Sequence, residues 1–157
     1  MWYLCTFTLK PGERAVRAKL RVYPPKRAKW LATHMDRLEE ANTAYRNPQA
    51  VYGSAVMAIL IGKDNFRLVS DYRSVKNTLV QTAFPMPNRE SMSRSFASAK
   101  AFCTLDMLQG YWQTPLSPEE QELFTMVTTE GLFTPTRVPQ GALNATAYFQ
   151  SVMQTML

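Results

Sequence analysis

At 157 residues the chain suffices for one packed domain, or a piece of one, burying roughly 70% of the surface its unfolded form exposes. Hydrophobic residues make up 46% and charged residues 19%, which excludes a disordered tail. Eighteen Lys and Arg against twelve Asp and Glu leave a formal charge of +6, with ten of the basic residues running from Lys10 to Arg46. Such an excess suits a polyanionic partner and a merely solvated basic face equally.

Tyr3, Cys5, Phe7 and Leu9 alternate and predict a first strand closed by Pro11-Gly12. This start lacks a basic leader and a cleavage signal, and the apolar run at 55–61 is too short to span a bilayer. A soluble protein is expected, and its two distant cysteines, Cys5 and Cys103, fit a reduced intracellular compartment. After Pro24-Pro25, Leu31, Met35, Leu38, Ala41 and Tyr45 recur at three and four residues. The spacing predicts an amphipathic helix with Lys26, Arg27, Arg37 and Glu39 outside, ending before Asn47-Pro48.

"SAVMAILI" and "FRLVS", joined by Gly62-Lys63-Asp64-Asn65, predict a hairpin with a lysine at its tip. "FPMPN" at 84–88 punctuates the chain, and Met92, Phe96 and Ala99 then form a short helical stripe. "AFCTLD" reads as a strand delivering Asp106 to its end. Ser117-Pro118-Glu119-Glu120 has the pattern of a capping box, predicting a helical turn. "LFTMVT" and "LFTPTRV" flank Thr129-Glu130-Gly131 as a second hairpin. Asn144 is placed to cap a last helix whose stripe is Tyr148, Phe149, Val152, Met153, Met156 and Leu157. Strands joined as hairpins and interspersed with helices form an α+β pattern.

Asp106 is the chemically conspicuous residue. Burying an unpaired carboxylate costs several kcal/mol, so it must be solvated, paired or holding a cation. His34 is the only histidine, so zinc clusters and Cys/His or Ser/His catalytic sets have too few members. Any metal held here is bound by oxygen.

With these elements in place, four segments carry a resemblance. "KDNFRLVSDYRSVKN" is similar to a Lys-Asp-Gly-x-Arg-x-x-x-Asp-Tyr-Arg-x-x-Asn block, and "FPMPNRE" to a Tyr-Pro-Leu-Pro segment. "AKAFCTLDMLQGYWQTPL" is similar to Phe-x-x-Leu-Asp-Leu-x-x-Gly-Tyr-x-Gln, and "RVPQGALNATAYFQSVM" to Pro-x-Gly-x-x-Asn-Ala-Pro-x-x-Phe-Gln. In this order and spacing the chain resembles, from about Val16 to Leu157, the reverse transcriptase of gypsy-type LTR retrotransposons.

That resemblance implies a right-hand polymerase: an N-terminal strand and basic lead-in at 1–23, fingers at 24–100 and a partial, truncated palm at 101–157. It implies nucleotidyl transfer assisted by two Mg²⁺ or Mn²⁺ ions, with the Asp106 carboxylate and the Met107 carbonyl as metal ligands. Arg67 is expected over the incoming base and at its phosphates, and Lys63 at the phosphates from the hairpin tip. Tyr111 is expected beneath the sugar as a gate against a 2′-hydroxyl, with Trp112 beside it in the core. Gln140 is expected to brace the sugar and Gly141 to let the backbone approach it. Arg73 is expected on the template backbone, a salt bridge with Asp71 being the competing reading.

The sequence also departs from the family pattern. Ile61-Gly62-Lys63 stands where a run of lysines is usual, and Thr146 replaces a proline. Tyr-x-Asp-Asp, the second carboxylate motif, is absent, and no Asp follows Asp106. The expectation is therefore a fragment of an RNA-directed DNA polymerase, inactive by itself and with incompletely liganded metals. Its partners would be an RNA or DNA template-primer, deoxynucleoside triphosphates and the rest of a polyprotein, with no membrane, in the cytoplasm or in retroelement particles. The alternative is a non-catalytic nucleic-acid-binding remnant.

Overall fold

Pro24 and Pro25 open the long helix α1 (Pro25–Glu40) in the computed structural model, which describes residues 5–63, 65–82, 88–97 and 99–156. Tyr3, Asp64, residues 84–87 of the proline segment, the Met92 side chain and Leu157, all named above, lie outside that description. Proline suits the first helical position because its missing N–H has no partner to lose there. Leu31 and Met35 are the buried residues of the helix, as the spacing predicts. The helix stops at Glu40, so Ala41 and Tyr45 are not part of it. Asn42 adopts a left-handed φ of 53°; its N–H reaches the Glu39 carbonyl at 2.9 Å and that of Thr43 reaches Leu38 at 2.9 Å, a Schellman ending.

Tyr45 belongs instead to strand β1 (Ala44–Arg46). Among the described residues four further strands follow: β2 (Ser54–Ile61), β3 (Asn65–Ser70), β4 (Met126–Thr128) and β5 (Gly131–Pro135). They form one sheet in the order β1-β5-β4-β2-β3. Both expected hairpins are present: β2 pairs antiparallel with β3 from Val56↔Ser70 to Ile61↔Asn65, and β4 with β5 around Val127↔Leu132. The parallel pairing of Ser54 with Met126 welds the two hairpins together. One core packs α1 on this sheet through Leu31, Met35, Val56, Met126 and Phe133. A second gathers Cys5, Phe7, Tyr72, Leu116, Phe124 and Val138.

The remaining elements correct several expectations. Among its described residues, 5–9, the first segment is not a strand, because its hydrogen bonds are divided between two places. Cys5 N–H bonds the Pro115 carbonyl at 3.1 Å, whereas Lys10 N–H bonds Thr78 at 2.8 Å, so only isolated bridges form. Cys5 and Phe7 are nevertheless buried and Thr6 and Thr8 exposed, as the alternation requires, but the alternation ends there, since Leu9 is exposed. Residues 101–107 have no regular structure and are exposed. A strand exists only by pairing, and none of the described residues pairs with this stretch.

Helix α2 (Arg73–Thr78) follows β3, and α3 (Arg89–Phe96) leaves Phe96 exposed and stops before Ala99. The Ser117 capping box does not cap the helical turn: the 3₁₀ turn starts later, at Gln121–Phe124, with Glu120 at its N-cap and no side-chain cap bond, closed by Leu123 N–H to the Glu120 carbonyl at 3.2 Å, with the Phe124 ring buried. In the last helix, α4 (Ala145–Met156), only Ala145 is buried and the apolar stripe is half-buried, Met156 being exposed. Asn144 does not cap it. With φ 61°, Asn144 turns its amide away to bond Thr82 N–H and the Val80 carbonyl, each at 3.1 Å.

Candidate active site

β3 is an edge strand, and its position leaves Arg67 exposed beside a cleft of about 530 Å³. On one side the cleft is bounded by α1 and β3, and on the other by residues 107–112 and the Pro139-Gln140 turn. Four of the eight expected site residues line it: Arg67, Met107, Tyr111 and Gln140. Arg67 Nη2 donates a hydrogen bond to Gln140 Oε1, which ties the first hairpin to the turn after β5.

Tyr111 lies in a 3₁₀ turn, Gly110–Gln113, that rests against α4. Its ring meets Phe149 edge-on at 5.5 Å, and its hydroxyl is 3.2 Å from Thr146 Oγ1. Gly110 is required here: a Cβ would come within 2.9 Å of the Phe149 ring. The turn is entered through Gln109 in the left-handed region, φ 49°. Trp112 is not in the core but half-buried, lining the cleft.

Gly141 has φ +93°, a conformation that favours glycine, and a Cβ there would touch Tyr72 at 3.9 Å. Burial raises the Tyr72 phenol well above its ordinary value, and its hydroxyl donates to the Phe124 carbonyl at 3.1 Å, so it acts as a fixed support under the turn. Lys63 is exposed at the tip of the β2–β3 hairpin and does not line the cleft. Asp106 is exposed immediately before Met107, and it too is outside the lining.

Arg73 is engaged elsewhere. Its Nε and Nη2 hold the two Asp71 oxygens at 2.8 and 2.7 Å, the salt bridge that was the competing reading. The hydrogen bond from Arg73, with Arg21 at 3.5 Å adding its charge, lowers the Asp71 carboxyl to about 2.

Trp30, His34, Gln109 and Gly110 also line the cleft without having been expected there. The four-residue spacing of Trp30 and His34 was visible, but it marks a helix face whether that face meets a core or a cleft. Burial, and then the neighbouring Arg37 charge, lower the His34 pKa.

This arrangement is that of the fingers and adjoining palm of a right-hand polymerase. The fold matches the crystal structure of the prototype foamy virus protease-reverse transcriptase with a TM-score of 0.80 and 25% identity, over 95% of this chain and 20% of that one. Residues 57–157 match the family described as reverse transcriptase (RNA-dependent DNA polymerase), and the chain belongs to that family.

Similar proteins include two Drosophila melanogaster Pol polyproteins. That of transposon gypsy is 31% identical over 96 residues, 61% of this chain and 9% of the relative. That of transposon 297 is 28% identical over 120 residues, 76% of this chain and 11% of the relative. An RNA-directed DNA polymerase homolog of Oenothera berteroana is 30% identical over 93 residues, 59% of this chain and 66% of the relative. The chain thus spans about a tenth of the two transposon polyproteins. No helix among the described residues is long and apolar enough to cross a membrane.

Proposed function

We propose that these residues form the nucleotide cleft and contribute the first metal carboxylate of a retroelement RNA-directed DNA polymerase. In this reading 1–23 is a lead-in, 24–100 the fingers and 101–157 part of the palm. The observation that carries it is the convergence of Arg67, Tyr111 and Gln140 on one cleft, with Met107 joining it next to Asp106. A permanently charged, planar guanidinium at the mouth suits triphosphate oxygens. A ligand phosphate would replace Gln140 on Arg67 and free the Gln140 amide for the sugar. Lys63 adds a point charge from the hairpin tip, and Tyr111 walls the sugar side. Gly141 lets the backbone come close. Arg73 still has donors beyond those bound to Asp71 and an 84% exposed side chain, with which it would meet a template backbone.

Magnesium or manganese is the implied cofactor. Among the described residues no group of three or more His, Cys, Asp or Glu side chains is placed to hold a metal. Asp106 and the Met107 carbonyl would therefore supply only part of a hard cation's oxygen shell. A completed site would supply charge stabilisation at the reacting phosphate. The partners of this reading are a template-primer of RNA or DNA, deoxynucleoside triphosphates and the remainder of a Pol polyprotein, in the cytoplasm or in element particles.

The test is primer extension on an RNA template by this chain joined to the remaining palm of a relative. Deoxynucleotide incorporation that Asp106→Asn reduces by several orders of magnitude is expected. The 157 residues alone should give none. Near-parental incorporation by Asp106→Asn would remove Asp106 from the site.

A further inference from the structure

α1 brings an aromatic stack to the cleft. Trp30 and His34 lie one helical turn apart, and their rings are stacked at 4.6 Å with an interplanar angle of 10°. Behind Trp30, the Phe66 ring lies at 5.7 Å, tilted by 47°. Phe66 is buried, whereas Trp30 and His34 are half-buried, and all three border the cleft that holds Arg67 and Gln140. Three rings thus run from β3, across α1, to His34, whose one face is covered by Trp30.

At about 530 Å³ the cleft falls within the usual range of small-molecule sites. It offers a cation and an amide from Arg67 and Gln140 together with this aromatic wall. A planar heterocycle attached to a polyanion matches both. Burial, and then the Arg37 charge, lower the His34 pKa below its ordinary value, which favours the uncharged ring as a stacking surface.

We infer that Trp30 and His34 form a base-stacking wall, on which the cleft holds the heterocycle of a nucleoside triphosphate against His34 while Arg67 holds its phosphates. This rests on the nucleotide reading of the cleft given above. Stacking on an aromatic side chain tolerates any base but favours the larger purines. The wall is therefore a positioning and specificity surface, independent of the metal carboxylate.

The test titrates the 157-residue chain with dGTP and, separately, with inorganic tripolyphosphate, in the absence of divalent metal. His34→Leu should weaken dGTP binding about tenfold and leave tripolyphosphate binding unchanged, and His34→Phe should restore dGTP. Because His34 is the only histidine, its imidazole proton resonances are unambiguous. They should move upfield with dGTP and stay in place with tripolyphosphate. This second readout decides the matter if His34→Leu does not fold. Arg67-dependent dGTP binding with unmoved His34 resonances, or with unchanged affinity in His34→Leu, overturns the stacking wall alone. Failure of the parent chain to bind either probe overturns the nucleotide reading of the cleft and the wall with it.

Discussion

The Arg67 guanidinium on β3 and the Gln140 amide after β5, 73 positions apart in sequence, are joined by a direct hydrogen bond. Both side chains are exposed, so the bond adds little to folding and is readily exchanged for a ligand. Arg67→Lys keeps the charge but loses the planar fork. It should weaken deoxynucleoside triphosphate binding about tenfold while changing unfolding stability by less than about 0.5 kcal/mol. Titration calorimetry and urea unfolding of the two chains check this pair of outcomes. Equal affinity would place the phosphates elsewhere.

The two cysteines should differ sharply in reactivity. Cys5 is buried, and desolvation, with the Glu120 charge adding to it, pushes its thiol up to about 12, whereas Cys103 is exposed. The thiolate is the reactive form, so at pH 8 a thiol reagent should modify one cysteine quickly in the folded chain and both in denaturant. Mass mapping should assign the fast site to Cys103. Rapid modification of Cys5 would mean that the core around Phe7 and Phe124 opens readily.

Asp71 predicts an acid limb of stability. Held by Arg73 and Arg21, its carboxyl titrates at about 2 in the folded chain against an ordinary 3.8. The folded state therefore binds this proton less readily than the unfolded state. The stabilisation is fully present above about pH 4 and is lost as pH falls through about 2. Urea unfolding at several pH values in that window should show a steeper decline for the parent than for Asp71→Asn. Parallel curves would show that the ion pair does not persist in solution.

What could be read from the sequence was what is local. The Leu31–Met35 spacing and the Gly62 and Gly131 turns fix α1 and both hairpins within a few residues of themselves. The end of α1 was misplaced because apolar residues continue in phase past Asn42, and only the left-handed backbone of Asn42 shows the break. Residues 101–107 read as a strand because β propensity is carried by the segment itself, but pairing depends on a partner the segment cannot specify. The same distinction governs the site. Arg67, Tyr111 and Gln140 stood out through the motifs around them, while Trp30 and His34 became cleft residues only when α1 was laid beside β3.

Tyr111 tests whether the cleft selects its sugar. Its ring meets Phe149 edge-on at 5.5 Å and its hydroxyl lies 3.2 Å from Thr146 Oγ1, so the side chain is held from α4 while lining the cleft. Tyr111→Phe removes the hydroxyl contact and keeps the wall; Tyr111→Ala removes the wall. In the chain joined to a relative's remaining palm, kcat/KM for dATP and for ATP on one primer-template separates these roles. Tyr111→Phe should keep the parental preference for dATP. Tyr111→Ala should lower it about tenfold or more, chiefly by improving ATP use, at some cost in overall efficiency and stability. If Tyr111→Ala unfolds at lower urea but leaves the dATP to ATP ratio unchanged, Tyr111 serves as packing for Phe149 and the sugar gate lies elsewhere.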